Sequence, residues 1–225
     1  GYPIGYFFGY KAIGVFQTQE EIDSYISPAT GKPIQPNAAP GDTKFEDLNG
    51  DGVISDDNED RTMIGKPNPD WMVGLTVAAD WNGFDLSAFF QGSFGADVFD
   101  ALRRYELAAV NYTSDALERW TGPGTSNSMP RIVLGDTPKN FRPSTLLVHD
   151  ASFLRLRNLQ VGYTLPAQLT RKAYIQRLRF YASFDNLLTI TGYKGMDPEI
   201  GSTMGIDKGV YPQARVYTFG LNLTF

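Results

Sequence analysis

Val73–Phe94 reads VGLTVAADWNGFDLSAFFQGSF, and the period of this stretch decides the fold. Val73, Leu75, Val77, Ala79 and Trp81 alternate with Gly74, Thr76, Ala78 and Asp80; past Asn82 and Gly83, the apolar series continues through Phe84, Leu86, Ala88, Phe90 and Phe94. Side chains two apart in a strand share a face, so each half is a ribbon with one apolar and one polar side. Asn-Gly suits the positive φ angles of a two-residue hairpin turn, which predicts an antiparallel pair hinged at residues 82–83.

The same period recurs downstream. Leu159, Val161, Tyr163 and Leu165 alternate with Gln160, Gly162 and Thr164 up to Pro166, and Leu178, Phe180, Ala182 and Phe184 form another series. Leu154 and Leu156 fall on the opposite parity. Either a bulge sits near Arg157 and Asn158, or the strand leaves its apolar surroundings there; the second is the preferred expectation. The last stretch, RVYTFGLNLTF (Arg215–Phe225), sets Tyr217, Phe219, Leu221 and Leu223 against Thr218, Gly220, Asn222 and Thr224. The opening stretch Tyr6–Phe16, apolar on both parities, is expected as a sixth strand.

Composition agrees with an all-β chain. Aromatics make up 13% of the 225 residues, with 12 Tyr and 15 Phe, which favours strands. The net charge of −5 and the lack of a basic run leave nucleic acid without an electrostatic footprint. With no cysteine, disulfides, Cys-ligated zinc and thiol catalysis are excluded. No window approaches 18 apolar residues, so no transmembrane helix is expected, but barrel strands need only about 9 to 11 alternating residues each. The start at Gly1 without Met or leader points to a fragment or processed product.

Connections between the expected strands alternate in length: long from Gln17 to about Asp70, two residues at Asn82 and Gly83, and long from Gly95 to about Ala151. A compact link from Pro166 to about Gln176 follows, then a long one from about Thr189 to Gln213. In a meander this sends every long loop to one edge and every short turn to the other, as in an outer-membrane barrel. Trp81, Phe84 and Tyr163 collect near the short-turn edge, as an aromatic girdle would. A β-sandwich alternates in the same way but predicts neither bias. The alternative kept open is therefore a secreted, calcium-stabilised, carbohydrate-binding β-sandwich.

Taken in order, FEDLNGDGVISDDNEDRTMIGKPNPDWMVGL (Phe45–Leu75), GFDLSAFFQGSFGADVFD (Gly83–Asp100), SFLRLRNLQVGYTLP (Ser152–Pro166), LRFYASFDNLLTITGYKGMDPE (Leu178–Glu199) and the last strand resemble the SusC/RagA-like TonB-dependent outer-membrane transporters. The resemblance implies that residues 1–225 form the C-terminal part of a 22-stranded transmembrane antiparallel β-barrel with long extracellular loops, its plug and TonB-contacting segment lying upstream. It implies import of oligosaccharides or peptides, a SusD-like surface lipoprotein as lid, coupling to TonB, and residence in the outer membrane of a Gram-negative bacterium. Tyr217, Phe219, Leu221, Leu223 and Phe225 resemble the insertion signal read by the barrel-assembly machinery.

Asp47–Asp60, DLNGDGVISDDNED, starts like a calcium loop: Asp47, Asn49, Asp51 and Gly52 fill the first, third, fifth and sixth positions. The twelfth is Asn58, which cannot give the bidentate carboxylate. A calcium shell would use Asp47, Asn49, Asp51, the Val53 carbonyl and Asp57 or Asp60; the competing reading is an exposed Asx and Gly turn. Tyr105, Tyr112 and Trp120 could stack on sugars or peptide side chains, although a loop core is preferred for them. Asp100–Asn111 and Ser114–Trp120 have helical spacing. The only histidine, His149, has Asp150 on the opposite face of an extended segment, so no triad is argued and no enzyme is expected.

Overall fold

A computed structural model describes residues 1–103, 105, 107, 110–199 and 204–225. The chain divides into two compact units: Gly1–Asn68, Asp97–His149 and Ile200–Gly209 form one; Pro69–Ala96, Asp150–Glu199 and Val210–Phe225 form the other.

The second unit is a five-stranded sheet of β1 (Trp71–Trp81), β2 (Phe84–Phe94), β3 (Phe153–Thr164), β4 (Arg177–Thr191) and β5 (Val216–Thr224), in sequential order and antiparallel throughout. The hairpin forms as the sequence predicts. Trp81 faces Phe84, and Asn82 and Gly83 take φ of 49° and 88°. A Cβ on Gly83 would come within 2.8 Å of the Thr164 carbonyl oxygen, so the turn needs glycine for space as well as for angle.

The preferred reading of the parity change is corrected. Phe89 pairs with Asn158 but Phe90 pairs with Leu156, leaving Arg157 as an extra residue, while β4 answers with a shift between Asp185 and Leu188 and a left-handed Asn186 at φ 53°. One bulged residue flips every later side chain to the other face. Leu156 therefore joins Phe90 and Leu188, Leu154 joins Ile190, and the strand never leaves its apolar face.

That face has no second sheet over it within the unit. Leu75 is 59% exposed, Phe180 47% and Phe219 75%, and Phe90 is half-buried. The short links, 82–83 and 165–176, lie at one edge and the long ones, 95–152 and 192–215, at the other.

The first unit is built of short ladders, Phe7–Tyr10 with Arg61–Gly65 and Ala12–Val15 with Thr43–Phe45. The expected sixth strand is thus two short strands outside the main sheet. Its mixed parity has a plain cause: Phe7, Tyr10, Val15 and Phe16 are all buried in this unit's own core, together with Phe45 and Ile22. Thr18 caps the helix Gln19–Ser24 through the Glu21 N–H.

The helix expected over Asp100–Asn111 is absent at its described positions; Arg104, Glu106, Ala108 and Ala109 lie outside the described residues. The Tyr112 hydroxyl donates to the Tyr105 and Leu107 carbonyls, oxygens that helical backbone donors would otherwise take. Ser114–Glu118 forms a 3-10 turn.

Candidate functional site

The polar face of the five-stranded sheet carries charge where alternation would put neutral side chains. Asp85 on β2 and Arg179 on β4 reach across Gly162 on β3, with Arg179 Nε donating to Asp85 Oδ1 at 2.8 Å. A Cβ at residue 162 would sit 2.5 Å from both partners, so the ion pair requires a bare backbone between them. Asn158 Nδ2 donates to Ser183 Oγ at 3.0 Å and to Asp185 Oδ1 at 2.7 Å.

Next to the bulge the charges condense into a network. Arg155, 2% exposed, donates to Asp197 Oδ1 at 2.6 Å, Glu199 Oε2 at 2.9 Å and Thr189 Oγ1 at 2.9 Å. Arg157, turned onto the same side by the bulge, donates to Glu199 Oε2 at 2.7 Å, Gln91 Oε1 at 2.6 Å and Asn186 Oδ1 at 3.2 Å. Asp197 also accepts the backbone N–H groups of Glu199 and Gln213, each at 2.9 Å, and Asn186 Nδ2 donates to the Ala214 carbonyl. Both ends of the β4–β5 connection are thereby tied to the polar face. Burial pushes the Asp197 carboxyl up, but the Gln213 and Glu199 N–H groups and the Arg155 guanidinium outweigh it and hold the group below its usual value.

Sequence reasoning missed these four residues. The signal was present: Arg155 and Arg157 alternate with leucines inside an apolar-patterned strand, where an ion needs a partner. The partners are 42 to 44 residues away in sequence, beyond any local pattern.

The expected aromatic site is not brought together as an open surface. Tyr105 is 2% exposed and packs with Ala116 and Met129 against Ile132 and Phe141, its hydroxyl 2.8 Å from Thr113 Oγ1. Trp120 lies against Gly41 and donates its indole N–H to Gln17 Oε1. Tyr112, 45% exposed, packs edge-on to Tyr105. Tyr105 is thus core to its loop, Trp120 is half-buried and Tyr112 stays exposed.

In the acidic loop, Asp47 accepts the N–H groups of Gly50 and Gly52, Asn49 that of Asp51, and Asp51 that of Val53. Asp60 is fully buried and accepts from the Leu48 and Ser55 N–H groups, and Asp57 accepts from Ser55 Oγ and the Glu59 N–H. Among the described residues no three His, Cys, Asp or Glu side chains converge as a metal site. His149 Nε2 stands 3.9 Å from Asp100 Oδ2, an oxygen already engaged by Arg103 at 3.0 Å.

On the apolar face of β5, Tyr217, Phe219, Leu221, Leu223 and Phe225 at its end are all 42% exposed or more. The strand pairs with β4 on one side.

No family model matches the chain. Individual proteins do. TonB-dependent receptor P3 of Formosa agariphila is 34% identical over 236 aligned residues, which takes in all of this chain and 22% of the receptor. TonB-dependent receptor SusC of Bacteroides thetaiotaomicron is 31% identical over 219, covering 96% of this chain and 20% of SusC. A solved structure of the RagAB peptide transporter superposes on all of this chain and 23% of its own, with a TM-score of 0.72 and 28% identity. The chain thus spans about a fifth of the length of the curated relatives it matches. Over that span it belongs with the TonB-dependent receptors of the SusC and RagA kind.

Proposed function

We propose that this chain supplies adjoining wall strands, the C-terminal ones, of a 22-stranded outer-membrane barrel that imports nutrient by gated passage, without bond making. One observation carries the reading: a single-layer sheet with no second layer over its apolar face, every residue of β1 being exposed and the β5 series 42% exposed or more. From Trp71 to Trp81, β1 makes ten rises of about 3.3 Å. Tilted by about 40°, that length spans about 25 Å, the height of an outer-membrane apolar band. Both tryptophans lie on the apolar face, one at each end, where indole rings favour the interface. The outer edges of β1 and β5 would pair with further strands, since open edges are not tolerated in lipid.

In this reading the long connections face outward beneath a SusD-like lipoprotein, energy arrives through TonB by way of a segment outside this chain, and the β5 series is read by the barrel-assembly machinery. The cargo is an oligosaccharide or a peptide. The charged network on the polar face stiffens the lumen wall and fixes the β4–β5 connection.

A direct test uses a cysteine-free background, to which this chain contributes no native cysteine. Single cysteines at positions 75, 77, 76 and 78 of the full-length protein in vesicles, labelled with a fluorophore, are expected to split by parity. Lipid-borne nitroxide should quench labels at 75 and 77 and spare 76 and 78. Equal quenching at all four would sink the wall-strand reading.

For the acidic loop we propose self-sufficiency, with side-chain oxygens closing the turn on N–H groups and no catalytic role. Chelation of calcium is then expected to move the melting temperature by less than about a degree, whereas Asp60→Ala, which orphans two N–H groups, costs about 1–3 kcal/mol. A drop of several degrees on chelation would instead assign a structural calcium ion to Asp47, Asn49, Asp51 and Val53 with Asp57 or Asp60.

A further inference from the structure

We propose that the compact link between β3 and β4, residues 165–176, is a contact element for anionic phospholipid headgroups; this rests on the bilayer-facing reading above. The link is a helical turn, Ala167–Thr170, followed by a 3-10 turn, Arg171–Ala173. It is held at both ends: Leu165 N–H donates to the Leu178 carbonyl at 2.9 Å and Gln176 N–H to the Thr224 carbonyl at 2.8 Å. Arg171 and Lys172 are exposed, and neither is in an ion pair among the described residues. No Asp or Glu occurs between Leu165 and Phe184, although the chain as a whole carries −5. A cationic spot in an acidic chain calls for an anionic neighbour.

Its surroundings say which one. Leu169 is 62% exposed and Tyr174 90%, an arrangement that costs free energy in water and suits the boundary between headgroups and acyl chains. Tyr174 takes a left-handed conformation at φ 61°, uncommon for a residue with a bulky side chain, and there its ring stays off the sheet. The link shares an edge with the exposed aromatic pair Trp81 and Phe84, joined by the Thr164 N–H to Gly83 carbonyl bond at 2.7 Å. The basic spot is therefore continuous with the end of the apolar face. A phosphate carried on a lipid meets both surfaces at once; a phosphate free in solution meets only the charge.

The test uses full-length protein extracted in mild detergent, with phosphatidylglycerol and phosphatidylethanolamine as probes and lipid retention read by native mass spectrometry. Wild type is expected to retain phosphatidylglycerol preferentially, and the double variant Arg171→Gln, Lys172→Gln to lose about tenfold in apparent affinity for it. The charge-conserving pair Arg171→Lys, Lys172→Arg should keep it. The inference is overturned if the Gln pair extracts and melts like wild type yet retains the lipid equally, or if inorganic phosphate at equal concentration displaces it. A protein that needs no detergent at all would overturn both this and the bilayer reading.

Discussion

Arg155→Met is expected to release the β4–β5 connection from the polar face while leaving the hairpin of β1 and β2 intact. Methionine fills much of the stem volume but offers nothing to Asp197, Glu199 or Thr189, all of which Arg155 now binds. Removing one member of a buried ion cluster costs about 3–5 kcal/mol, because the charge left behind has been taken out of water. Glu199 keeps Arg157, and Asp197 keeps its two N–H donors, so the loss is local rather than global. Hydrogen exchange should accelerate at Glu199 and Gln213, and proteolysis should begin in the connection. Unchanged protection there would mean that the network is decoration.

Acid should open the same latch only when strong. The Asp197 carboxyl is held below its unfolded value, so its contribution is complete above about pH 4 and fades as pH falls through the lowered folded value. From about pH 8 down to about pH 5 the exchange rates of the wild-type connection should therefore differ only by the intrinsic pH effect.

The parts of this fold legible in the sequence are those written in local period and turn chemistry. Asn82-Gly83 and its flanking alternation specify a hairpin without reference to the rest of the chain. The unequal connection lengths likewise fix which edge is which. Arg157 was ambiguous because a parity switch has two causes, and only the partners Phe90 and Leu188 choose between them. Tyr6–Phe16 misled for a related reason: apolar residues on both parities describe any stretch buried on two sides, whether in a large sheet or in the short ladders found here. The network of Arg155, Arg157, Asp197 and Glu199 was hidden by distance along the chain. An inward arginine can be flagged from its apolar setting, but its counter-charge is delivered by a loop whose path no spacing rule describes. Aromatic residues in a long loop suit a loop core or a ligand platform equally well in sequence; the structure buries Tyr105 against Ala116 and Met129 and leaves Tyr112 exposed.

Leu75→Arg separates a lipid-facing wall from an ordinary protein surface by the size of its effect. Leu75 is 59% exposed, and in a water-facing sheet an exposed leucine changes to arginine within about 0.5 kcal/mol. In a bilayer the same position lies near the middle of the span from Trp71 to Trp81, where a guanidinium on the lipid face of a barrel costs about 2–4 kcal/mol. The neighbouring Thr76→Arg places its charge on the polar face and should cost far less, and Trp81→Arg, at the interface, about 0–1 kcal/mol. Folding of the full-length protein into vesicles, titrated with denaturant, therefore predicts an order: position 75 most sensitive, 81 less, 76 least. The order follows from depth and parity together. A sheet that merely lacked its covering partner in solution would show neither dependence, because water solvates arginine equally well at all three places.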